Sequence, residues 1–191
     1  MAKIIAVSGS GNSGKSTSII LAANIANQSR AILIAKYYYR VNVDIVEVYV
    51  FQKENGELKY VAYLSKGDTP KQIKEGFDAL EVFMEASKNG NLQVKIELLK
   101  GEKQVTHSAV YANMEEVLKG HNGFSIDVVV VACRNPQVLT NNVLPQLSHT
   151  WAKSQVINMP KNSIPITANT NWLDAVAKAN EDFAKDIDTQ V

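Results

Sequence analysis

Apolar and polar positions along this chain of 191 residues follow two periods, and the period changes where glycine, proline or asparagine intervenes. Residues 3–8 are a short β-branched run without polar alternation, the pattern of a strand buried on both faces. Residues 15–28 carry Ile19, Ala22, Ala23 and Ala26 at helical spacing, and residues 31–35 fit either a strand or a continuation of that helix. Residues 44–52 alternate through Val46, Val48 and Val50. Asn55-Gly56 then supplies a turn and residues 58–64 return, which predicts a hairpin. Asp68 or Thr69 can cap a helix opened by Pro70, with Ile73, Phe77, Leu80 and Met84 on one face and Asn89-Gly90-Asn91 at its end. Residues 92–99 and 104–111 flank Lys100-Gly101-Glu102-Lys103 and predict a second hairpin, an insertion at about 89–125. The clearest buried strand is 127–133, with four consecutive valines. Asn135 and Pro136 then cap and start a helix that places Leu139, Val143, Leu147 and Trp151 on one side and meets Pro145 partway. Residues 154–159 form the last strand, and residues 172–187 a terminal helix with Val176, Ala179 and Phe183 on one face. Strands alternating with helices predict one α/β domain over residues 1–191: three layers, a mostly parallel sheet with helices on both faces, and the hairpin insertion.

Composition narrows the function classes. Twenty basic and 19 acidic residues leave a net charge of +1, so no global field favours a polyanion and nucleic acid is not indicated. Cys133 is the sole cysteine, which excludes an internal disulfide and a thiolate cluster, and His107, His121 and His149 lack metal-ligand spacing. The apolar runs at 4–7 and 128–133 are too short to cross a bilayer, and the first runs straight into glycines. The expectation is a cytoplasmic protein without a membrane partner.

Gly9-Ser10-Gly11-Asn12-Ser13-Gly14-Lys15-Ser16 fits G-x-x-x-x-G-K-[ST] at every position. Glycines at these places let successive N–H groups close around phosphate oxygens. The helix that follows points its unpaired amides and positive dipole end at the same anion. Lys15 would reach the β- and γ-phosphates. Ser16 would place its hydroxyl on Mg²⁺, with Thr17 one residue further into the helix. A chance match in a chain of this length has odds of about one in a hundred.

Residues 3–28 resemble the opening of P-loop NTPases, and Ser65-Lys66-Gly67-Asp68 with Ala132-Cys133-Arg134 is similar to segments of small microbial P-loop proteins. The resemblance implies a P-loop NTPase-like parallel sheet with nucleotide at its carboxyl edge, and ATP or GTP with Mg²⁺ as ligand. ATP is favoured, because no Asn-Lys-x-Asp or Thr-Lys-x-Asp run is present to recognise guanine. Ligands gather beyond the carboxyl ends of strands in such sheets, so the turns at 8–16, 64–70 and 133–136 are expected to converge. Asp127 and Asp44 begin their strands, which sets both at the wrong edge for a metal-holding acid. Asp68 remains as the acid for Mg²⁺ or for orienting a water, with helix capping as an equal alternative. Arg134 would neutralise phosphate charge or serve as an ordinary surface arginine, and Cys133 reads as a buried small apolar residue. The 159–162 loop is a base-contact candidate or a plain exposed loop. Tyr37-Tyr38-Tyr39, Trp151 and Trp172 would stack a base or a partner, although packing explains them more simply.

Three functions compete at this point. One is hydrolysis of a Mg²⁺-bound nucleoside triphosphate. The second is a small-molecule or nucleotide kinase, disfavoured by having only Arg30, Arg40 and Arg134. The third is a non-catalytic nucleotide sensor or assembly partner, as a homo-oligomer or with another protein.

Overall fold

The computed structural model describes residues 2–29, 33–41, 44–52, 55, 57–88, 109–110, 125–165 and 171–191. Its first strand, β1 (Lys3–Ser8), is apolar on both faces and therefore takes a central place, with a parallel neighbour on each side. After it come α1 (Lys15–Ser29), β2 (Leu33–Val41), β3 (Asp44–Gln52), β4 (Leu58–Leu64), α2 (Pro70–Lys88) and the two-residue β5 (Ala109–Val110). β6 (Val128–Cys133), the short helices α3 (Pro136–Val138) and α4 (His149–Ala152), β7 (Gln155–Pro160) and α5 (Trp172–Gln190) complete the described elements. The sheet order is β5-β2-β3-β4-β6-β1-β7.

The strands β4, β6, β1 and β7 are parallel, with Ile5 opposite Val130 on one side and Ile157 on the other. Beyond β4 the sheet is antiparallel. The Asn-Gly hairpin forms as its sequence predicts, pairing Gln52 with Leu58, and residues 33–35 belong to strand β2 rather than to an extended α1. The second hairpin, residues 92–111, and the insertion at 89–125 lie outside the described residues apart from β5 and the last residue of that insertion, as does the Asn89-Gly90-Asn91 stop.

Alternation along the strands divides the core. Ile4, Ala6, Val129 and Val131 pack against Ile73, Phe77 and Leu80 of α2 and against Leu139, Val143 and Trp151. Ile5, Val7 and Val130 pack on the other face against Ile19, Ala22, Ala23 and Ala26 of α1 and Ala184 and Ile187 of α5. Helices thus cover both faces. Trp151 is fully buried edge-on to Phe77, with ring centres 5.1 Å apart, so it serves the core and cannot stack a base. Alanines on α1 let α1 and α5 lie close to the sheet.

One helix departs from expectation. Asn135 caps as read, its Oδ1 accepting from Gln137 N at 2.9 Å, but the helix does not run on to Trp151 with a kink. It widens to a π turn (Leu139–Val143), tightens to a 3₁₀ turn (Leu144–Gln146), becomes extended at Leu147 and restarts as α4. Pro145 offers no N–H and its ring would strike the carbonyl four residues back, so the helical ladder cannot continue through it. No helix among the described residues is long and apolar enough to cross a membrane.

Candidate functional site

The turns leaving β1, β4 and β6 meet at the carboxyl edge of the parallel strands. Gly9 N donates to Cys133 O at 3.2 Å, tying the start of the glycine-rich loop to the end of β6. A Cβ on Gly67 would overlap the Ala132 carbonyl, so only glycine lets the turn after β4 close onto β6. The segment after β7 joins them: Lys161 N donates to Ser8 O at 2.7 Å, and the Ser10 and Ser163 hydroxyls share a hydrogen bond of 2.9 Å.

Within the loop, Asn12 adopts φ +61°, a left-handed conformation that asparagine tolerates, and Gly14 adopts φ +87°. Ser18 N donates to Gly14 O, which sets Gly14 at the mouth of α1. Gly11 and Asn12 are exposed, whereas the Ser13 hydroxyl is buried and without a partner among the described residues. The α1 amino end therefore opens at a loop whose backbone is wrapped around it, the arrangement that suits an anion.

Lys15 is the buried cation of the loop. It is only 5% exposed, and its Nζ donates to Gly9 O at 2.9 Å and Ser10 O at 2.7 Å. Among the described residues no carboxylate ion-pairs with it. Burial lowers its pKa; the nearby Asp68 charge works in the opposite sense, and Arg134 adds to the lowering. A buried ammonium held by carbonyl dipoles alone is costly to keep charged. Next to it, Ser16 Oγ donates to Ser65 O at 2.7 Å, linking α1 to the turn after β4, while Thr17 stays exposed.

Asp68 and Arg134 face each other across this edge, Asp68 Oδ1 lying 3.6 Å from Arg134 Nε. An Arg134 Nη also approaches Gly11. The capping alternative for Asp68 drops out. Thr69 Oγ1 accepts from Gln72 N at 3.3 Å, and Gln72 Oε1 accepts from the N–H groups of Asp68 and Thr69 at 3.0 and 3.2 Å. That is a reciprocal capping box, so the Asp68 carboxylate is left for other work.

Asp127 sits at the opposite edge as expected, where its Oδ2 accepts from Tyr60 N at 2.8 Å. The expectation for Asp44 is corrected. Because β3 runs antiparallel to β4, with Val46 opposite Leu64, the start of β3 lies at the carboxyl edge. It remains three strand spacings from β1, about 14 Å away. Cys133 is fully buried, and desolvation pushes its thiol up to about 11, so it is no nucleophile.

One residue was not legible as a site residue. Asn180 of α5, 7% exposed, lies where a Cβ on Gly14 would be. An asparagine on the otherwise apolar face of Val176, Ala179 and Phe183 was the available signal. Lys161, in the loop read from sequence as a base contact or a plain exposed loop, is buried: its Nζ lies 3.4 Å from Ala179 O and 5.3 Å from the centre of the Phe183 ring.

Among the described residues no group of three or more His, Cys, Asp or Glu could hold a metal ion. A magnesium ion that keeps its waters and phosphate oxygens needs only one or two protein oxygens, and the Ser16 hydroxyl and Asp68 carboxylate are hard donors of that type. No protein-family model, curated protein or solved structure matches the chain.

Proposed function

We propose that the loop at residues 9–16 binds the phosphates of a Mg²⁺-nucleoside triphosphate, ATP in preference to GTP, and that the protein hydrolyses it. The observation that carries this reading is Lys15: a buried cation, held by the Gly9 and Ser10 carbonyls, at the amino end of a helix whose loop matches the phosphate-binding pattern. In this reading Lys15 leaves those carbonyls for the β- and γ-phosphates. Ser16, released from the Ser65 carbonyl, and Asp68 would be the chain's oxygens for Mg²⁺, which would offset phosphate charge. Arg134 turns towards the transferring phosphoryl group, and Asp68 orients the attacking water.

Calorimetric titration with ATP, GTP and nonhydrolysable analogues, with and without Mg²⁺, tests the site on wild type and Lys15→Ala. Mg²⁺-dependent binding that disappears in the variant supports it; a variant that binds normally overturns it. Phosphate release to water supports hydrolysis, and transfer to an added nucleoside or nucleotide points to a kinase. Binding without turnover points to a sensor.

A further inference from the structure

Lys161 is the second lysine buried at this edge. Only 6% of it is exposed, and both its backbone groups are fastened to the start of the loop: its N–H bonds Ser8 O, and its carbonyl packs against Gly9. Its ammonium has poor company. The Ala179 carbonyl is 3.4 Å away, at the limit of a hydrogen bond, and the Phe183 ring supplies a cation–π contact at 5.3 Å. Among the described residues no carboxylate pairs with it. Such a cation is costly to the empty fold, and an anion bound nearby would offset that cost.

Ala179, which holds the ammonium, precedes Asn180, which packs on Gly14 at the mouth of α1. Lys161 is thus joined to both ends of the glycine-rich loop, to Gly9 through its backbone and to Gly14 through α5. We propose that Lys161 is a second cationic binding residue of the site, so that two buried lysines, Lys15 and Lys161, make it selective for a multiply charged anion, a di- or triphosphate over a monophosphate. The inference rests on the phosphate-site reading above and deepens it. It acts through the field of the buried ammonium or through its release from Ala179 towards the ligand. A field of that kind changes affinity by roughly tenfold per unit of ligand charge.

The test uses the full chain with Lys161→Met, which keeps the length of the side chain and removes its charge. The surface variant Lys178→Met, one residue before Ala179 and exposed, is the control. Affinities for ATP, ADP, AMP and inorganic pyrophosphate are measured at several salt concentrations, together with the melting temperature of the ligand-free protein. The expected result for Lys161→Met is at least a tenfold loss for ATP, ADP and pyrophosphate, a smaller loss for AMP, and a ligand-free protein melting roughly 2–5 °C higher. Lys178→Met stays within twofold of wild type. A purely structural Lys161 gives the opposite pattern, a lower melting temperature with unchanged selectivity among these ligands, and that overturns the proposal. Wild type that binds none of the four ligands defeats the phosphate-site reading itself; wild type that binds them while Lys161→Met binds equally well defeats only the role of Lys161.

Discussion

Replacing Gly14 by alanine should damage the loop through two separable effects. The first is local: φ +87° is left-handed, and a Cβ there costs about 1–2 kcal/mol wherever the neighbours lie. The second is a collision, because the new Cβ would overlap Oδ1 of the buried Asn180 on α5. Overpacking of that kind costs about 1–3 kcal/mol. Gly14→Ala should therefore lose about 2–5 kcal/mol in all. Asn180→Ala alone loses packing worth about 1 kcal/mol. In the double variant the collision is gone while the torsional strain remains, so the pair should be more stable than the sum of single effects by about 1–3 kcal/mol. Urea melts of the four proteins, compared at equal m-values, measure this coupling. Coupling below about 0.5 kcal/mol would mean that α5 does not brace the loop, and the account of why glycine stands at position 14 would fail. Nucleotide titration of the same four proteins adds a functional reading: binding lost in Gly14→Ala should be only partly regained in the double variant.

Two further outcomes follow from the site. Burial raises the Cys133 thiol from 9.0 to about 11, so its contribution to stability is whole below pH 9 and is lost as pH rises through 11. Over that window wild type should lose about 3 kcal/mol more than Cys133→Ala in urea melts, and parallel pH profiles would refute this. Asp68 and Arg134 are each more than half exposed, so breaking their pair with Asp68→Asn or Arg134→Ala should change stability by under about 0.5 kcal/mol. If they act as proposed, phosphate release should nevertheless fall at least about a hundredfold while analogue binding survives; unchanged turnover would remove both from the reaction.

Local chemistry made much of this protein legible in its sequence. The β-branched run Lys3-Ile4-Ile5-Ala6-Val7 reads as a buried strand, and Asn55-Gly56 between apolar runs reads as a hairpin turn, because both preferences act over a few residues. The glycine-rich loop and its Lys-Ser ending were readable for the same reason. Three outcomes belonged to tertiary structure. Asp44 reached the carboxyl edge because a strand's direction depends on its partner and not on its own residues. Thr69 relieved Asp68 of capping through a reciprocal contact with Gln72, a choice between neighbours that sequence left even. Lys161 and Asn180 became buried beside the loop only when α5 packed across α1, and the asparagine on an apolar helix face marked a buried position without saying that the loop at Gly14 lies against it.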